Sequence, residues 1–184
     1  MMDHDALADR RRALENEFFA KRDRELIERM HEEREVADLS HIENPALVEE
    51  LVALGITAKM LAAVGLIPLL AVAWADGRVD KAERVTILDA AADAGVERSA
   101  EGYAMLEHWL EQPPEPGLFD AWKSYVAEIA KPLAPNLRHG LRDEVLRVAR
   151  AVAEASGGFL GLGERISDQE RAVLARIEDA FTAD

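Results

Sequence analysis

The stretch Asp76-Gly77-Arg78-Val79-Asp80-Lys81-Ala82-Glu83 puts three carboxylates into one tight turn. Hard oxygen donors held this close together suit calcium, magnesium or manganese. The spacing follows the second half of an EF-hand loop, with an acid before glycine, an aliphatic residue two further on and a glutamate six after the glycine. The first half is absent, because Val72 and Trp74 stand where liganding aspartates would be. Calcium takes about 6–8 oxygens, so this turn alone supplies only part of a shell. The same residue types also have an architectural explanation. Gly77 suits the left-handed conformation that ends a helix. Asp80 can then accept from the amide of Glu83 while Glu83 reaches back to the amide of Asp80, a capping box with aspartate in place of serine. Both readings stand on the residues alone.

Other chemistry has little support. With no cysteine, disulfides, zinc thiolates and thiol nucleophiles are excluded. His4, His31, His41, His108 and His139 are scattered along charged segments, and His31-Glu32 does not extend to a second histidine at metalloprotease spacing. No serine sits in a nucleophile elbow. An enzyme is therefore not expected. The rival reading is a magnesium- or manganese-dependent hydrolase built on Asp76, Asp80 and Glu83, with Arg78 and Arg84 near enough to hold substrate oxygens but no evident base. A third is a helical domain with no ligand.

The segment Gly157-Gly158-Phe159-Leu160-Gly161-Leu162-Gly163 sets large apolar residues among glycines. Such a loop either folds back to plug its own core or offers Phe159, Leu160 and Leu162 to a partner protein. No lysine follows the glycines, so a phosphate loop is not indicated.

These features need elements to carry them, and the punctuation of the chain predicts helices. Residues from about 6 to 38 form one long charged helix, with Leu7, Leu14 and Phe18 on one stripe and Phe19, Leu26 and Met30 on the next. Drift of that kind suits a straight helix lying across two other elements, and its charge reads either as a solvated face laced with i,i+4 pairs or as a dimerisation arm. Asn44 and Pro45 open a helix that ends at Gly55, and Thr57 caps a short one to Gly65. The apolar run Met60 to Ala75 is broken by Gly65 and Pro68 and falls short of the roughly 20 residues a membrane span needs, so it reads as a buried central helix. Further helices run from Asp80 to Gly95, from Ser99 to Glu111, from Leu118 to Lys131 and from Pro135 to about Ala155, with Ser167 capping the last. No segment alternates with period two, so the fold class is all-α. The division is a charged N-terminal helix and linker, 1–44, followed by a helical domain, 45–184.

The 184 residues carry a formal net charge of -14. Phosphate-rich partners would be repelled, which argues against nucleic acid and anionic lipid and favours cations or basic protein surfaces. Nothing at the N-terminus resembles an apolar leader, so a cytoplasmic protein is expected.

A faint repeat links the two ends of the domain. Ala73-Trp74-Ala75-Asp76-Gly77 with Val79-Asp80-Lys81-Ala82-Glu83-Arg84 recurs as Ala153-Glu154-Ala155-Ser156-Gly157 with Ile166-Ser167-Asp168-Gln169-Glu170-Arg171. Two such hairpins facing each other would bury their alanine-rich surfaces in one core. The first copy, from Ala71 to Val96, resembles the TerB-like family, named for tellurite-resistance TerB and including the N-terminal region of the co-chaperone DjlA. The resemblance covers about residues 58 to 182. It implies a fold of two related helical hairpins, an acidic cation site and a link to stress responses. Asp76, Asp80 and Glu83 match the family's acidic positions. In the second hairpin only Glu170 does, with Ser156 and Ser167 where acids could stand. The expectation is a non-enzymatic interaction module with a protein partner, and with calcium or magnesium at Asp76, Asp80, Glu83 and Glu170.

Overall fold

The computed structural model describes residues 3–40, 42–98, 100–155 and 166–182, with side chains from Glu17 onward except Phe19. Among these residues the chain forms nine α-helices and no strand, as the caps and stripes predict. They are α1 (Asp3–Ser40), α2 (Pro45–Ala53), α3 (Leu61–Val64), α4 (Ile67–Ala73), α5 (Lys81–Asp93), α6 (Glu101–Glu111), α7 (Leu118–Ala130), α8 (Pro135–Ala155) and α9 (Asp168–Asp179), with a 3-10 turn at Ala58–Met60.

As Gly65 and Pro68 predict, the apolar run is split. It divides into the 3-10 turn, α3 and α4, and Pro68 falls in the first turn of α4, where a missing N–H costs no hydrogen bond. Ile67, Leu69, Leu70, Val72 and Ala73 are all buried. A helix apolar on every side needs neighbours on every side, and α4 has them in α5, α7, α8 and α9. No described helix is long and apolar enough to cross a membrane.

The two expected hairpins are present. One is α4 with α5, the other α8 with α9, and α8 packs against α4, α5 and α9 alike. Ala73, Ala91, Ala149 and Ala153 are 0–1% exposed, so small residues sit where these helices crowd together. Two further ties join the body. Trp74 Nε1 donates to the carbonyl of Trp109 at 2.7 Å, pinning the end of α4 to α6. Trp122 of α7 packs on Phe119 at 5.3 Å and edge-on to Phe181 at 6.2 Å, while the Arg176 guanidinium of α9 stands 4.5 Å over Phe119.

Of the stripe residues expected on α1, Leu7, Leu14 and Phe19 lie outside the described side chains. Among its described side chains the buried ones lie in the last turns, which pack against α2 and the 3-10 turn, with Val36 fully buried and Ser40 Oγ donating to the Val36 carbonyl. Leu26, Ile27 and Met30 are 57%, 55% and 60% exposed. The break between α1 and α2 ends at Asn44, whose Oδ1 accepts from the Ala46 amide at 3.1 Å with Pro45 opening the helix. Val36 and Ile42 nevertheless join the same core as Leu47 and Leu51.

One expected cap is wrong. Thr57 makes no side-chain cap bond, and its Oγ1 is buried without a partner among the described residues. The amide of Ala58 instead donates 2.7 Å to Oε1 of Glu32, a side chain of α1. The carboxylate from α1 thus serves the first amide of the turn, one that an N-cap side chain does not reach.

Candidate functional site

Gly77 adopts φ of +90° and turns the chain out of α4. The Arg78 amide donates to Asp76 Oδ1 at 3.1 Å, and the Arg78 guanidinium lies 3.6 Å from Asp76 Oδ2. Asp80 then caps α5. Its Oδ1 accepts from the amides of Ala82 at 2.7 Å and Glu83 at 2.9 Å, and Glu83 Oε2 accepts from the Asp80 amide at 2.8 Å. The reciprocal capping box anticipated from the sequence is thus formed.

The second hairpin repeats the device. Ser167 Oγ accepts from the Glu170 amide at 3.2 Å, and Glu170 Oε2 accepts from the Ser167 amide at 2.6 Å. In both hairpins the third residue of the helix is a buried glutamate. Glu83 is 4% exposed and Glu170 5%, and they are the only charged residues in the buried class among the described residues.

The two carboxylates also feel each other. Burial pushes the Glu83 carboxyl up from the usual 4.5 to about 7; the hydrogen bond from the Asp80 amide opposes this, while the charges of Asp80, Asp76 and Glu170 reinforce it. The four acids singled out from the sequence therefore belong to one electrostatic neighbourhood, with Glu83 at its centre. Glu83 Oε1 and Asp80 Oδ2 make no hydrogen bond or ion pair with a described residue. As oriented, no set of three or more histidine, aspartate or glutamate side chains among the described residues is arranged to hold a metal ion.

The residues following the two glutamates diverge. Arg84 leaves the turn and reaches α6, 3.3 Å from Glu107 and 3.9 Å from Glu111. Arg171 stays local, pairing with Asp168 and donating to the Ile166 carbonyl at 2.9 Å. Sequence reasoning did not anticipate the Arg84 tether, since its acceptors lie a whole helix away. Phe159, Leu160 and Leu162, the candidate partner patch, lie outside the described residues.

No protein-family model, curated protein or solved structure matches this chain.

Proposed function

We propose that the chain is a non-enzymatic interaction module of TerB-like type that binds a divalent cation at its acidic turn. The observation carrying this reading is Glu83: a buried carboxylate, backed by Asp76, Asp80 and Glu170, that the fold disfavours in its charged form. A divalent cation would relieve that repulsion, and Asp80 Oδ2 and Glu83 Oε1 are the oxygens left over from the capping box to meet it. Binding would require Arg78 to release Asp76, which an exposed pair allows at little cost. The hydrolase alternative is weakened because Arg84, needed there for substrate, is committed to Glu107 and Glu111. A protein partner at Phe159, Leu160 and Leu162, and a role in stress response, belong to the same proposal.

Thermal unfolding with and without magnesium or calcium tests the cation site. At a hundred times the dissociation constant, binding adds about 2.7 kcal/mol. The expected result is a raised melting temperature that Asp76→Asn/Glu83→Gln abolishes. An unchanged melting temperature at millimolar cation, or an equal rise in the double variant, would sink the proposal.

A further inference from the structure

Helix α1 is chemically two-fold about its own middle. Lys21, Arg22 and Arg24 stand before the exposed apolar stripe of Leu26, Ile27 and Met30, and Glu32, Glu33 and Glu35 stand after it. Arg22 and Glu33 are eleven residues apart, as are Asp23 and Arg34, and Arg24 and Glu35. Eleven residues is three helical turns, so each pair shares one side of the helix. Their three midpoints average to the bond between Glu28 and Arg29, and the apolar stripe straddles that point.

We propose that α1 pairs with the α1 of a second copy, antiparallel, about a two-fold axis between residues 28 and 29. Arg22 then falls level with Glu35 of the second copy, Asp23 with its Arg34, and Arg24 with its Glu33. Ile27 and Met30 fall level with Met30 and Ile27 of the second copy, and Leu26 lies beside them, level with its His31. An isologous contact of this kind closes on itself as a dimer. In the one like-charged juxtaposition, Glu25 with Glu32 of the second copy, each carboxylate already has a partner in its own chain. Glu25 lies 3.8 Å from Lys21, and Glu32 accepts from the Ala58 amide. A parallel pair would set Arg22 beside Arg22 and Glu33 beside Glu33, so charge selects the antiparallel form.

Two further observations point to the same occupant. A long helix that is polar around most of its surface needs either many ion pairs or a partner. Between Glu17 and Ser40 only Lys21–Glu25 and Arg34–Asp38 pair within α1, at 3.8 and 3.9 Å. The stripe also continues into a groove of about 330 Å³ at the foot of α1, floored by Met30, Ala37, Ile42 and Val48. With the axis at 28/29, Ala20 of the second copy falls opposite Ala37, and its small side chain leaves room at that crossing.

The pairing is independent of the cation site, so either can fail without the other. Its test uses the full chain, whose lack of native cysteine makes single-cysteine variants unambiguous. Light scattering is expected to give a dimer mass for the unmodified chain. With a short thiol cross-linker, Ile27→Cys is expected to link, because its two copies lie about 5 Å apart along the axis. Asp23→Cys, with copies about 17 Å apart, is not expected to link. Arg22→Glu/Arg24→Glu and Glu33→Arg/Glu35→Arg are each expected to be monomeric with unchanged melting of the body, and mixing the two is expected to restore the dimer. A monomeric unmodified chain overturns the proposal and leaves a different protein as the occupant of the stripe. Cross-linking at both positions overturns the antiparallel arrangement. A dimer that persists in both charge-reversed variants overturns the role of α1.

Discussion

The two hairpins use the same local device in different electrostatic settings. Each begins its second helix with a reciprocal capping box whose glutamate is buried, Glu83 in one and Glu170 in the other. In the second hairpin the cap is a neutral serine, and Arg171 is folded back onto Asp168. In the first, the cap is Asp80, Asp76 adds another charge, and Arg84 is drawn away to α6. The capping geometry is preserved while its charge is not. Architecture therefore explains the glutamates of both hairpins, and what sets the first apart is the charge that Asp80 and Asp76 add around its glutamate.

The largest expected effect tests whether the hairpins share one core. Ile87 and Leu174 each follow the buried glutamate by one turn and are 0% and 8% exposed. Ile87→Ala and Leu174→Ala are each expected to cost about 2–5 kcal/mol in chemical denaturation, in a single transition. Two separate transitions would mean that the hairpins unfold independently, and the comparison would lose its basis.

A smaller effect of opposite sign separates the two glutamates. Glu83 binds its proton more tightly in the folded chain, at about 7, than at its ordinary 4.5. Below 4.5 it is protonated in both states and carries no penalty. Above about 7 it is ionised in both, and the fold bears the whole penalty, up to about 3 kcal/mol. Its contribution therefore declines as pH rises from about 4.5 to 7. Glu83→Gln keeps an acceptor for the Asp80 amide and removes the charge, so it is expected to raise the melting temperature near pH 8 and leave it unchanged near pH 4. A variant destabilised at both pH values would show that the carboxylate itself is needed.

Loss of the caps comes next. Asp80→Ala and Ser167→Ala are each expected to cost about 0.5–2 kcal/mol. The Asp80 variant should lose less at pH 8 than at pH 5, since it also removes a charge that disfavours Glu83. Equal losses at the two pH values would indicate that Asp80 acts on the helix alone. The smallest effect belongs to the arginines. Arg84→Gln and Arg171→Gln are expected to change stability by less than about 1 kcal/mol, because partly exposed ion pairs contribute little. A larger loss at Arg84 would make it a structural tie rather than a charge that has left the turn.

Most helix limits could be read from the sequence because the signals are local. Asn44-Pro45, Gly95, Ser167 and the Asp80–Glu83 pair act within a few residues of themselves, and each does what its type suggests. The all-α class followed from the same punctuation, and the paired hairpins from the faint repeat between residues 73–84 and 153–171. What could not be read depends on residues far apart in the chain. Thr57 had the right type and place for a cap but makes no side-chain cap bond, and the Ala58 amide is served by Glu32 from α1. Phe18, Leu26 and Met30 belong to the stripes on α1 yet are exposed, because a stripe records that apolar residues align, not that anything lies beneath them. Arg84 and Arg171 occupy matching positions in the repeat, and only the three-dimensional neighbourhood distinguishes their partners. The acids were found by type and spacing, while the perturbation of Glu83 required its burial to be known.

The placement of the aromatic residues gives the molecule a built-in pair of spectroscopic reporters. Trp74, Trp109 and Trp122 all lie in the helical body, as do Tyr103 and Tyr125, and α1 contains none of these residues. Intrinsic fluorescence therefore sees the body and is blind to the long helix, whereas far-ultraviolet ellipticity sums over both. If α1 frays before the body melts, ellipticity will begin to fall while emission stays constant, and the gap between the two curves will measure how far that helix stands on its own.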